Sequence, residues 1–133
     1  MGELFSQAWM QRLQQKWNAT NSIVEPLQKA GFSSRIGYGF KGESAPRGIL
    51  VIQDGRVIEA GNFDGGDLDW DLRADPEKWL AWMSEGFGLT KLGPAVATGA
   101  LQFATGNYRQ MIRNPSLSNP FLQHFELMNE LGT

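Results

Sequence analysis

GILVIQDGRVIEAG, residues 48–61, reads as two strands joined by the tightest of turns. Ile49, Leu50, Val51 and Ile52 are apolar on both faces, as in a strand inside a sheet. Asp54-Gly55 is a strong two-residue hairpin signal, because both positions tolerate positive φ. Arg56 to Gly61 then return as the partner strand. Upstream, Ile36, Tyr38 and Phe40 alternate with Arg35, Gly37, Gly39 and Lys41, giving a strand with bare backbone on one face. Something must pack closely on those glycines, or the strand must bend. Downstream, Leu68, Trp70 and Leu72 alternate with Asp67, Asp69, Asp71 and Arg73. This predicts a fourth strand with one wet face, and the short turns predict an antiparallel meander. Ala100 to Ala104 supplies a fifth strand, with Leu101 and Phe103 on one side.

Helical spacing appears on either side of these strands. After a capping Ser6, residues Trp9, Leu13 and Trp17 share a stripe with Met10 beside it. Ile23, Val24 and Leu27 resume the apolar face, and Gly31 closes it. Pro26 argues against one straight helix, so residues 1–31 are one broken helix or two short ones. Asp75-Pro76-Glu77 is a clean helix start leading to Trp79, Leu80, Trp82 and Met83. A short helix ending at Thr98 is crossed by Pro94 and stopped by Gly99. Asn119-Pro120 predicts the start of the last helix, whose apolar face is Phe121, Leu122, Phe125 and Met128. The expected class is α+β: a single domain, 1–133, whose five-stranded, mainly antiparallel sheet is covered on one face by helices.

Composition narrows the function. The net charge is −2, from twelve basic and fourteen acidic residues, and no basic block stands out. That pattern argues against a nucleic-acid partner. With no cysteine, thiol chemistry and cysteine-held zinc are excluded. The start of the chain lacks the charge and apolar run of a signal peptide, and no segment predicts a bilayer span, so a soluble cytoplasmic protein without stable membrane insertion is expected. Five tryptophans and eight phenylalanines beside sixteen glycines are unusual for this length. They predict either a dense aromatic core or the lining of an apolar cavity.

Catalytic patterns are weak. The single histidine, His124, sits on the edge of an apolar stripe and is expected to be packed or half-exposed rather than a ligand. Asp67, Asp69 and Asp71 lie in a row with steps of about 7 Å on a strand, too wide for one cation. No metal or other cofactor is expected. Arg109 and Arg113 stand one helical turn apart after the fifth strand. They could greet a carboxylate or phosphate head group, but exposure to solvent or pairing with Glu126 is the expected reading from the residues alone. The short helices at 84–99, broken by glycine and proline, predict a loose cover in which an apolar ligand fits.

The order of pieces adds a family. Leu50-Val51-Ile52 with Asp54-Gly55, then Ala74-Asp75 and a helix bearing Trp79, then Ala97, Gly99, Leu101, Phe103 and Gly106, resembles the sterol-carrier-protein (type two) lipid-binding domains. The likeness spans residues 33–131, and the NYRQMIR stretch at 107–113 resembles a bacterial single-domain branch. It implies non-catalytic binding or transfer of a fatty acid, acyl thioester or sterol-like molecule, in a tunnel between sheet and C-terminal helix. On that reading Leu101 and Phe103 form the sheet wall. Met111 and Ile112 form the rim, Tyr108 is a further ligand-binding residue, and Arg109 and Arg113 stand at the mouth for a head group. Phe121, Phe125, Met128, Trp79 and Trp82 complete the lining. The aromatic N-terminal helix is placed to alter or plug such a tunnel. Two other readings stay open: an accessory or interaction module, homodimeric through the same apolar face, and a small enzyme with a cavity site.

Overall fold

In the computed structural model, which describes residues 4–85, 89–106, 110 and 113–131, the central hairpin forms as its turn requires. Asp54 and Gly55 take φ of 48° and 81°, and β2 (Gly48–Gln53) pairs antiparallel with β3 (Arg56–Asn62). A bulge after Val51 pairs Ile52 with Val57 and Val51 with Glu59, so Ile58 is the extra residue. Val57 and Ala60 are therefore buried while Ile58 is exposed.

β1 (Ser34–Phe40) lies on the other side of β2, antiparallel to it. The expected meander ends there. β4 (Trp70–Ala74) does not continue beside β3; it crosses to the far side of β1 and pairs with it in parallel, giving the order β3-β2-β1-β4-β5. β5 (Leu101–Thr105) pairs antiparallel with β4, so the sheet is mixed but mostly antiparallel. Arg35 pins the crossover. Its guanidinium meets Asp64 at 2.6 Å and donates to the Asp67 carbonyl, while its backbone N–H donates to the Asp69 carboxylate. The Asp64 and Asp69 carboxylates thus tie the crossover to β1, and no group of three or more metal-ligating side chains occurs among the described residues.

The wet face expected for β4 is also absent. Asp71 and Arg73 are buried and paired with each other at 2.6 Å, and Arg73 also donates to the Glu43 carbonyl. The cover is the loop before β2, and the β1 glycines allow it. A Cβ on Gly39 would lie 2.8 Å from the Pro46 Cα, whereas one on Gly37 would first meet the tip of the Leu68 side chain. Gly39→Ala is therefore expected to cost about 1–3 kcal/mol, since backbone must move, and Gly37→Ala clearly less. Denaturant midpoints of the two variants check this; equal midpoints would show that the loop yields freely.

Helices cover the opposite face. α1 (Gln7–Asn18) is capped by Ser6, whose Oγ accepts from the Trp9 N–H, and lies on β3 and β2. Asn18 and Gln14 bond the Val57 backbone, so the helix occupies the exposed edge of β3. α2 (Asn21–Lys29) is a separate helix, and Gly31 at φ 65° ends it with Phe32 N–H donating to the Leu27 carbonyl. α3 (Pro76–Glu85) and α4 (Leu89–Thr98) join β4 to β5. α5 (Pro115–Leu131) begins five residues before the expected Asn119-Pro120 start. The Asn114-Pro115 pair opens it: the Asn114 carbonyl accepts from Leu117 and Ser118. Pro120 is carried inside the helix. α5 packs against α1, α2 and α3 and closes over the sheet.

Candidate functional site

Between the sheet and α5, aromatic rings from four elements, β4, β5, α3 and α5, pack against one another in a row. From β5, Phe103 stands 5.9 Å from Trp70 and 6.2 Å from Phe121. Phe121 meets Phe125 at 5.1 Å, Phe125 faces Trp79 at 6.5 Å, and Trp79 meets Trp82 at 5.5 Å. Leu101, Trp79, Phe121, Phe125 and Met128 are buried, while Phe103 and Trp82 are half-buried. These seven residues belong to or pack against one hydrophobic core cluster. Arg113 is helical and exposed. Tyr108, Arg109, Met111 and Ile112 lie outside the described residues.

Polar atoms inside this cluster are matched. Trp79 Nε1 donates to the Gly39 carbonyl at 2.9 Å, and Trp17 Nε1 to the Gly55 carbonyl at 2.8 Å. His124 is wholly buried on α5 and sits 3.0 Å from the Tyr38 hydroxyl through Nε2. Its Nδ1 faces the Phe121 carbonyl. A carbonyl only accepts, so Nδ1 carries the proton and Nε2 accepts from Tyr38. Burial pushes the His124 pKa down to about 4, the Phe121 carbonyl opposing it, and burial raises that of Tyr38. The pair is a neutral hydrogen bond between helix and sheet. Sequence spacing placed His124 at the edge of the stripe but carried no signal for its partner, 86 residues away.

Beneath the start of α5, a fissure lined by Trp17, Leu27, Phe32, Ile36, Leu117 and Phe121 has about 10 Å³ of free space, no more than one water. A much larger groove opens on the N-terminal side. It holds about 510 Å³ and is lined by Leu4, Phe5, Ser6, the 43–47 loop, Asn62 and Phe63. The groove and Phe5 were not legible from periodicity, because Phe5 precedes the helix and belongs to no repeat.

The helical layer over a β3-β2-β1-β4-β5 sheet gives the chain the fold of sterol carrier protein 2. Sterol carrier protein 2 itself superposes with a TM-score of 0.75 at 16% identity, covering 96% of this chain and 98% of its own. A conserved hypothetical protein of Thermus thermophilus, described as possibly sterol carrier protein, gives 0.71 at 18% identity, over 98% of this chain and 91% of its own. The UbiJ-SCP2 ubiquinone synthesis protein gives 0.61 at 15%, over 92% and 89%. No family model matches the chain, and no curated protein does. No helix among the described residues is long and apolar enough to cross a membrane.

Proposed function

We propose that this chain binds and carries an elongated apolar molecule, a fatty acid, acyl thioester or sterol-like lipid, between its sheet and α5, with no chemistry of its own. The observation that carries this reading is the unbroken ring wall from Phe103 through Phe121, Phe125 and Trp79 to Trp82. Each methylene moved from water into such a wall is worth about 0.8 kcal/mol, so affinity needs few polar contacts. His124 supports binding over catalysis, since both ring nitrogens are engaged by Tyr38 and Phe121. Native mass spectrometry of gently purified protein, with fatty-acid and sterol titrations, tests the reading. Absence of both adduct and binding would overturn it.

In the same reading Arg109 and Arg113 hold an anionic head group at the mouth. Neutral substitution of either is expected to weaken fatty-acid binding by roughly 0.5–2 kcal/mol, because water screens a head group held at a mouth. Sterol binding, with no charge to pair, should hardly change. Equal fatty-acid affinities for wild type, Arg109→Gln and Arg113→Gln would place both side chains in solvent.

A further inference from the structure

Phe5 has a backbone that its residue type disfavours. Its φ is 63°, in the left-handed region that costs an L-residue with a bulky side chain, yet the residue is completely buried. The ring fills a box of four others: Trp79 at 5.1 Å, Trp9 at 5.3 Å, Tyr38 at 5.6 Å and Phe40 at 5.8 Å. Trp79 is shared with the ring wall under α5 through Phe125. On its other side Phe5 lines the 510 Å³ groove. It is thus the partition between an open groove and the apolar interior. Gly48 is what lets the segment sit there, since a Cβ on it would lie 2.7 Å from the Phe5 carbonyl oxygen and 2.6 Å from Met10 Cγ.

We propose that Phe5 is a built-in plug: its ring occupies an apolar subsite of the lipid space, and the tail end of a bound acyl chain displaces it toward the groove at Leu4–Ser6 and 43–47. The four rings of the box bear no charge, so the subsite takes hydrocarbon and not a head group. Strain in the plugged backbone lowers the cost of leaving. A ligand then binds only the fraction of molecules with the box open, and its apparent affinity falls by that fraction. This rests on the lipid-binding reading above.

Titration of wild type, Phe5→Ala and Gly48→Ala with a fluorescent long-chain fatty acid tests it. Emptying the box, or pushing the segment off the sheet from Gly48, is expected to tighten binding roughly tenfold. Because Phe5→Ala can fail to fold, a second measurement leaves Phe5 in place. The chain has no cysteine, so Leu4→Cys introduces a single thiol beside the plug. Its labelling by a thiol reagent should accelerate roughly tenfold when fatty acid saturates the protein. Lipid binding with unchanged thiol labelling, or with no gain in Gly48→Ala, overturns the plug and leaves the lipid reading standing. No fatty-acid binding by wild type or by either folded variant overturns the plug, and with no sterol binding and no lipid adduct either, it overturns both.

Discussion

Trp79→Ala is expected to destabilise the protein by about 3–5 kcal/mol, a large part of the roughly 5–15 kcal/mol that a domain of this size has. Trp79 is almost wholly buried and touches the rings of Phe5, Trp82 and Phe125, so truncation opens a hole shared by the N-terminal segment, α3 and α5. It also strips the Gly39 carbonyl of its indole partner within the covered sheet. Trp79→Phe separates the two losses. It retains most of the packing and loses the N–H donor, so about 1–2 kcal/mol is expected from it. Urea denaturation gives both values, read as a fall in midpoint at constant slope. A loss below about 1 kcal/mol for the alanine variant would mean that the ring wall is loosely packed and collapses onto the gap.

Acid should loosen the same layer through one residue. His124 is the only histidine, and burial holds its folded pKa at about 4, below the ordinary 6.5. Between those values the unfolded chain binds a proton that the native one refuses, so the group's contribution is complete above pH 6.5 and is lost as pH falls toward 4. The depression corresponds to about 3 kcal/mol. Glu43 and Asp64 also have lowered pKa values, from the Arg47 hydrogen bond and the Gly66 backbone N–H respectively. They start from 4.5 and 3.8, so their losses fall below the upper part of the histidine window. His124→Gln keeps an acceptor for Tyr38 but has no proton to take up. Stability measured from pH 7 to pH 4.5 should fall in wild type and stay flat in this variant; parallel curves would show that His124 charges freely in the native state.

Local chemistry was the legible part of this protein. The Asp54-Gly55 hairpin, the Ser6 cap and the Gly31 helix end each depend on the φ preference or hydrogen bonds of a few adjacent residues, and all three formed. The last helix shows the limit of such rules. Asn114-Pro115 and Asn119-Pro120 satisfy the same start signal; the helix begins at the earlier one and packs against α1, α2 and α3. Within the candidate site, the spacing of Trp79, Trp82, Phe121 and Phe125 correctly gathered them on apolar faces, because period alone decides which side of a helix a residue takes.

By itself, then, the sequence determined the elements, their apolar faces, the α+β class and the glycine-thinned side of β1. The tertiary structure decided what those faces meet. β4 went to β1 rather than β3, with the 63–69 connection held by the Arg35 clamp, and pairing between distant segments leaves no local mark. Asp71 and Arg73, polar by pattern, became buried once the 43–46 loop could lie on Gly37 and Gly39 and the two charges could neutralise each other. His124 found Tyr38, and Phe5 found its box of rings, for the same reason. Burial is a property of neighbours brought together by the whole fold, and a single residue outside any repeat carries no trace of them.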